Sequence, residues 1–182
     1  LLDDKLGGQT GYDAAHDKFT TNRYGFEINT NRYEVWGKLG YQFPGTPYKS
    51  IGLQVSGNIH NHESYYGFTE HNAEQHSFYS NLIYQSIIGN TAHKFKTGVS
   101  FMYDDVQDNL FNQVNPVNYN GQVTPGIAFK RIEVVPGVFA EYNYDNLKNF
   151  SFIAGIRVDQ HNLFGTFFTP RIHARYNLTD LT

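Results

Sequence analysis

Seven stretches of the chain alternate apolar and polar side chains with a period of two, and each is about ten residues long or more. The clearest runs from His93 to Asp104, where Phe95, Val99 and Phe101 alternate with lysine, glycine and serine. Successive side chains of a strand point to opposite faces of its sheet. Soluble strands average about 5–6 residues, whereas a tilted strand needs about 9–11 residues to cross a bilayer. The repeated pattern therefore predicts an antiparallel, all-β transmembrane barrel wall of about seven long strands.

The composition fits this prediction and excludes several other classes of protein. Charged residues make up 17% of the 182 residues, below the roughly 25% of soluble domains, and aromatic residues make up 16%. There is no cysteine, so disulfides and thiolate metal sites are excluded. The net charge of −3 gives no reason to expect a nucleic-acid partner. The mean hydropathy of −0.51 is compatible with a barrel, because half of each strand faces a polar lumen.

Connections of two lengths separate the predicted strands. The polar residues 1–22 are predicted to form an extracellular loop, and residues 23–182 the barrel segment. Short turns are predicted at residues 44–49, 89–92, 145–149 and 162–165, and longer loops at 1–22, 66–73 and 105–128. Long loops on one side and short turns on the other are typical of outer-membrane barrels. The alternation through Phe26 and Ile28 has the opposite parity to that after residue 31, which predicts a β-bulge near Asn29–Thr30.

Two other folds would also produce alternating strands. In a soluble β-sandwich that binds a ligand, Phe101, Ile156 and Ile172 would pack against a second sheet. A complete eight-stranded barrel with a structural or adhesive role would pair residues 23–30 with residues 166–177. Both alternatives remain open at the level of sequence, and strand pairing and burial distinguish them.

Several segments resemble the barrel of TonB-dependent outer-membrane receptors. The most specific are Ala154–Asp159, which contains Gly-x-Arg-x-Asp, and Thr169–Asn177, which contains Pro-Arg; a loop separates the two, as in the middle of such barrels. The other matching segments are Arg32–Pro44, Tyr48–Gln54, Ser77–Ser86, His93–Gly98 and Val135–Tyr142. The resemblance covers roughly residues 23–182.

The resemblance implies a non-enzymatic receptor in the outer membrane of a Gram-negative bacterium. Such receptors combine a barrel of about 22 strands with an N-terminal plug, and receive energy from TonB to import siderophore-iron, haem, cobalamin or oligosaccharides. This sequence shows no plug, no TonB box and no final strand that ends in an aromatic residue. We therefore expect a central barrel segment whose partners are membrane lipid, the plug, the remaining strands, TonB through the plug and a small-molecule nutrient.

Histidines and carboxylates are the residues of this sequence that could bind a metal. His60 and His62 share one face of a strand, and His71 follows beyond the predicted loop, but no carboxylate spacing supports a metal site. Asp104, Asp105 and Asp108 are predicted to lie in a hydrated loop, since the spacing and glycine of a calcium loop are absent. We predict no metal and no cofactor.

The remaining candidate residues line the predicted lumen and loops. The ligand-binding candidates are His60, His62, Phe68, His71, Phe111 and Tyr119, because aromatic, imidazole and amide groups in loops suit many small ligands. The candidates for contacts between the wall and the plug are Arg157, Asp159, Arg171 and Arg175, with Arg171 expected beside Asp159 across a hairpin. No catalytic residue is predicted, since nucleophile elbows, phosphate loops and dinucleotide fingerprints are absent.

Overall fold

The computed structural model describes residues 2–112, 126–146 and 148–178, which contain eight β-strands and one short helix. The strands are β1 (Leu2–Gly8), β2 (Gly25–Gln42), β3 (Ser50–Tyr66), β4 (Thr69–Ile88), β5 (Asn90–Asn112), β6 (Ile127–Asp145), β7 (Phe150–His161) and β8 (Gly165–Tyr176). The helix α1 spans Ala14–Asp17. In these ranges no helix has the length and apolarity to cross a membrane.

The eight strands form one sheet in the order β1 to β8, so that strands adjacent in sequence are adjacent in space. The paired strands run antiparallel, as in β6–β7 and β7–β8. The all-β, antiparallel up-and-down class is confirmed, and the strand count is eight rather than about seven. The additional strand is β1, which pairs with the start of β2 from Leu2↔Asn31 to Gly8↔Gly25.

The strand β1 lies within residues 1–22, where a loop was predicted. Its sequence, Leu-Asp-Asp-Lys-Leu-Gly-Gly, has two apolar side chains, and Leu2 and Leu6 are 70% and 63% exposed. The strand is therefore held by its backbone ladder with β2 and not by side-chain burial, and a backbone ladder leaves no hydrophobic periodicity in the sequence. The extracellular position of this region stays a prediction.

Two other predicted loops are shorter than expected. The connection between β3 and β4 is the pair Gly67 and Phe68, with Gly67 at a φ of 59°, so the loop predicted over 66–73 is wrong. Residues 105–112 belong to β5, so the predicted loop 105–128 begins too early. In both cases polar side chains extend a strand instead of ending it, and some of them, such as His71 and Asp108, contact each other across neighbouring strands.

The predicted bulge near Asn29–Thr30 is also wrong. Phe26 stacks on Tyr66 with ring centroids 6.1 Å apart, and Thr30 is hydrogen-bonded to His62. Tyr66 and His62 share one face of β3, so Phe26 and Thr30 share one face of β2 and the alternation is continuous. The apolar side chains near the start of β2 thus change face relative to those after residue 31 without any break in the strand.

The chain divides into two compact units, and the first contains Leu1–Val35, Gly57–Ser77 and Asp104–Ile132. We call the face that carries Tyr33, Val35 and Ile59 its outer face, and the opposite face its inner face. Tyr65, 3% exposed, is the buried apolar residue of the described chain. The connection between β1 and β2 covers it, with Phe19 edge-on at 5.5 Å and the Lys18 Nζ 4.2 Å from its ring centroid.

The second unit contains Trp36–Ser56, Phe78–Tyr103 and Glu133–Thr182. Its outer face carries large apolar side chains that stay exposed, among them Val99 at 51%, Ile156 at 52% and Ile172 at 76%. The described residues contain no large side chain that is fully buried. A soluble sandwich buries such residues between two sheets, whereas these strands belong to a single sheet, and in its described part the large apolar side chains of the outer face stay exposed.

Candidate functional site

A network of side chains centred on two histidines spans the inner face of the first unit. The imidazole of His62 is hydrogen-bonded to Thr30 Oγ1 at 3.1 Å and to Ser64 Oγ at 3.0 Å. The Ser64 hydroxyl donates to the main-chain oxygen of His71 at 3.3 Å. His71 Nε2 lies 2.8 Å from Asp108 Oδ1, and the two imidazole rings are 5.3 Å apart. This histidine network links β2, β3, β4 and β5 laterally.

The histidine network uses its polar atoms for contacts within the wall. Across the part of the chain that the structure describes, no group of three or more histidine, aspartate or glutamate side chains is placed to hold a metal ion. His60 lies two residues from His62 on β3, and its Nδ1 is buried without a hydrogen-bond partner in that same part. The arrangement therefore favours a role in hydrogen bonding between strands over a role in metal binding.

The acidic residues predicted to form a hydrated loop lie in β5 and have specific partners. The Asp104 carboxylate accepts from Gln75 Nε2 at 2.8 Å and from the Ser77 hydroxyl. Asp105 lies 4.0 Å from Lys130 Nζ on β6. Because neighbouring residues of a strand point to opposite faces, Asp104 and Asp105 cannot converge on one cation. The loop prediction is wrong for this segment.

The inner face of the second unit holds an ion pair, which we call the arginine clamp (Ser100, Arg157 and Asp159). The guanidinium of Arg157 donates to both carboxylate oxygens of Asp159, from Nε and Nη2, at 2.7 Å each. Nη2 also donates to Ser100 Oγ on β5 at 2.7 Å. This bidentate geometry is the strongest form of the arginine–carboxylate contact, and it joins two positions of the Gly-x-Arg-x-Asp motif.

Gly137 on β6 makes room for the arginine clamp. It is paired with Asp159 in the β6–β7 register. A Cβ atom added at Gly137 would overlap Asp159 Oδ1 and lie 2.8 Å from Ser100 Oγ and 3.0 Å from Arg157 Nη2. Glycine is therefore required here because a larger side chain would not fit, and not because of its backbone angles.

Arg171 does not lie beside Asp159, contrary to the sequence prediction. In the β7–β8 register, Arg171 is paired with Gly155 and Asp159 with Phe167. The predicted contact requires Asp159 to be paired four positions further along β8, at Arg171 instead of Phe167, and Asp159 is bound by Arg157. Arg175 is paired with Ser151 and its Nε donates to Asn177 Oδ1 at 3.1 Å. Arg171 and Arg175 are exposed on β8. Their contacts with a plug stay a prediction.

The predicted ligand-binding residues do not form one pocket. His62 and His71 meet in the histidine network, whereas Phe68 occupies the turn between β3 and β4 and Phe111 lies near the end of β5. Tyr119 lies outside the described residues. Their role in ligand binding stays a prediction.

A cluster of side chains that the sequence pattern did not predict holds the β1–β2 connection against β3. The hydroxyl groups of Tyr12 and Tyr65 are 2.6 Å apart, and the buried Asp17 accepts from the main-chain nitrogen of Asp13 at 3.0 Å and lies 3.4 Å from Arg23 Nη1. One signal was present in the sequence. Asp13 before two alanines is a helix N-cap pattern, and its side chain accepts from the Ala15 nitrogen at 3.0 Å.

Comparison with protein families and solved structures supplies the class of protein. Residues 2–182 match the family described as "TonB dependent receptor-like, beta-barrel". This chain belongs to that family. Its members are receptors of the outer membrane of Gram-negative bacteria, and the single exposed sheet of this chain has the strand topology of such a wall. A search of curated proteins gives no match.

One solved structure in the comparison is the siderophore receptor PirA from Acinetobacter baumannii, with 14% sequence identity and a TM-score of 0.30. The alignment covers 99% of this chain and 36% of that chain. The chain thus spans about a third of the length of the receptor with which it is compared. A TM-score this low gives no information about the ligand.

Proposed function

We propose that this chain is a wall segment of a TonB-dependent outer-membrane receptor that takes up a scarce nutrient. The observation that carries the proposal is the family match over residues 2–182. The proposed partners are outer-membrane lipid, an N-terminal plug, further barrel strands, TonB acting through the plug, and a nutrient such as siderophore-iron, haem, cobalamin or an oligosaccharide. The role is transport, with no catalytic step.

The two faces of the second unit support a position between lipid and a polar lumen. Val99, Ile156 and Ile172 are more than half exposed on the outer face, which in water would be an unfavourable apolar surface. The inner face carries the arginine clamp and Lys96, whose Nζ is 3.6 Å from Glu141 Oε1. Lipid on one side and polar groups on the other is the arrangement of an outer-membrane barrel wall.

Strand pairing argues against a complete eight-stranded barrel. That alternative pairs residues 23–30 with residues 166–177, whereas Gly25–Asn31 is paired with β1. In the sheet order of the described residues, β1 and β8 stand at the two ends. In a wall segment, both end strands pair with further strands of the barrel, because each unpaired backbone group at an edge within lipid costs several kcal/mol.

The lipid-facing assignment is tested with single cysteines, which are unique within this chain because it has none. Val99→Cys on the outer face and Lys94→Cys on the inner face of the same strand form a matched pair. Each is labelled with a polarity-sensitive fluorophore in the reconstituted receptor. We expect quenchers attached to lipid tails to quench the label at position 99 and water-soluble quenchers to favour position 94. Equal quenching of both labels would contradict the proposal.

The nutrient is tested by uptake. We expect a strain that lacks the receptor to lose import of one compound among labelled ferric siderophores, haem, cobalamin and oligosaccharides. Import should return when the receptor is restored and should stop again when TonB is removed. Import of all compounds at the parental rate without the receptor would contradict a transport role.

A further inference from the structure

The histidine network on the inner face of the first unit brings together more imidazole rings than carboxylates. The rings of His62 and His71 are 5.3 Å apart, and His60 lies two residues before His62 on the same face of β3. Among the described residues, Asp108 is the one carboxylate that is hydrogen-bonded to these imidazoles, through His71 Nε2 at 2.8 Å. All four side chains are partly buried. Protonation of more than one histidine would therefore leave positive charge without a balancing group.

The hydrogen bonds of His62 are complete when its imidazole is neutral. The Ser64 hydroxyl already donates its proton to the main-chain oxygen of His71, so Ser64 Oγ accepts from His62 Nε2. His62 Nδ1 lies 3.1 Å from Thr30 Oγ1 and is then the nitrogen that accepts, from the Thr30 hydroxyl. A second proton on His62 would reverse this bond and place a positive charge beside His71 and His60.

The other charged groups near the network do not balance a second positive charge. Those that share its face on β1 to β6 and carry charge or titrate between about pH 5 and 8 are Asp3, Lys5, Arg32, Glu34, His60, Asp104 and Arg131. Asp3 and Glu34 each already face a cation of their own strand, at 3.0 Å and 3.1 Å. The Asp104 carboxylate accepts from Gln75 and Ser77. The arginine of β6 adds a further positive charge to this face.

We propose that the histidine network is a pH-sensitive latch at the turn end of the β3–β4 hairpin. At neutral pH the latch is closed, and the hydrogen bonds of His62 and Ser64 join β2, β3 and β4. When the latch opens, His62 reaches water and takes up a proton near the ordinary histidine pKa of about 6.5. Because the open form binds a proton that the closed form excludes, the latch weakens as the pH falls below that value. The turn at Gly67 and Phe68 is then less firmly held.

The test is amide hydrogen exchange of the whole receptor in nanodiscs at about pH 7.5 and about pH 5.5, measured in peptides that cover residues 60–73. Each rate is divided by the intrinsic rate of an unfolded chain at the same pH, so that the quotient reports local opening. The key variant is His62→Gln, whose amide keeps a donor and an acceptor but does not titrate. The matched control is His76→Gln on the outer face of β4, where His76 is 51% exposed and lies 2.9 Å from Glu74.

We expect local opening of the wild type to increase by up to about tenfold at the lower pH, because excluding one proton over about one pH unit below 6.5 shifts an equilibrium by that factor. His76→Gln should show the same increase. His62→Gln should match the wild type at neutral pH and show no increase in acid. A wild type without the increase, or a full increase in His62→Gln, would overturn the proposal.

Asp108→Asn decides the question if His62→Gln already exchanges faster than the wild type at neutral pH. The new amide still accepts from His71 but no longer balances its charge, so the closed form should exclude two protons instead of one. Opening in acid should then become steeper, toward about a hundredfold over the same interval. An unchanged or shallower pH dependence would refute the latch. The labels at positions 99 and 94 test the wall assignment separately, because neither residue belongs to the network.

Discussion

Replacing Gly137 with alanine should break the arginine clamp. A Cβ at this position overlaps Asp159 Oδ1 and crowds Ser100 Oγ at 2.8 Å and Arg157 Nη2 at 3.0 Å. All three atoms belong to side chains that are already fixed by 2.7 Å hydrogen bonds to one another. The new methyl group therefore forces either the strands apart or the ion pair open, and overpacking of this kind costs about 1–3 kcal/mol.

Gly155→Ala is the matched control. Gly155 is also on the inner face of the second unit, but its added Cβ would lie 3.5 Å from the Ala140 oxygen and 3.8 Å from Glu141 Cβ, which are ordinary contacts. Alanine restricts the unfolded chain more than glycine does, so this variant should be neutral or more stable by about 0.4–1 kcal/mol. Gly137→Ala is thus expected to lower the stability of the receptor, whereas Gly155→Ala is expected to leave it unchanged or raise it.

The assay is urea unfolding of the receptor in lipid vesicles, followed by tryptophan fluorescence. We expect a lower urea midpoint for Gly137→Ala at an unchanged slope, and no decrease for Gly155→Ala. A double variant, Gly137→Ala with Asp159→Ala, removes the carboxylate that the methyl group meets. Its loss of stability should be smaller than the sum of the two single losses. Strict additivity, or a wild-type midpoint for Gly137→Ala, would refute the steric argument.

Two further predictions concern the β1–β2 connection. Tyr65→Phe removes the 2.6 Å contact with the Tyr12 hydroxyl and should destabilise the connection by about 1 kcal/mol, seen as faster amide exchange at residues 9–24; unchanged exchange would contradict it. The hydrogen bond from His16 lowers the pKa of Asp13 most, followed by the hydrogen bond from the Ala15 nitrogen. The stabilisation from these bonds should therefore be complete at neutral pH. It should be lost as the pH falls from the ordinary pKa of an aspartate through the lowered pKa of Asp13. Proteolysis of the connection should show this pH dependence in the wild type and not in Asp13→Asn.

The register of β7 and β8 shows where sequence reasoning was too local. Both strands were predicted, and Arg157 and Asp159 were identified as wall residues from one motif. Their mutual contact was not predicted, because Asp159 was assigned to Arg171 from an estimate of hairpin length. A hairpin register depends on the exact turn, and a shift of a few positions changes every cross-strand partner.

The polar extensions of β3, β4 and β5 show a second limit. Glu74, Asp104 and Asp108 resemble loop residues by composition, yet they lie in strands. Beyond the lipid-facing part of a wall, a strand needs no apolar side chains, since its backbone ladder and cross-strand contacts such as His71 with Asp108 hold it. Hydrophobic alternation therefore locates the apolar part of each strand and not its ends.

The sequence by itself determined the class of fold and the face to which each side chain in the apolar part of a strand belongs. Alternation with a period of two is a local property, and it is readable at Val99 or Ile156 without knowing any neighbour. Only the tertiary structure decided which side chains meet, as in the histidine network, the arginine clamp and the pairing of β1 with β2. Those contacts join residues far apart in the chain, and their geometry depends on register and turn length, which no local pattern encodes.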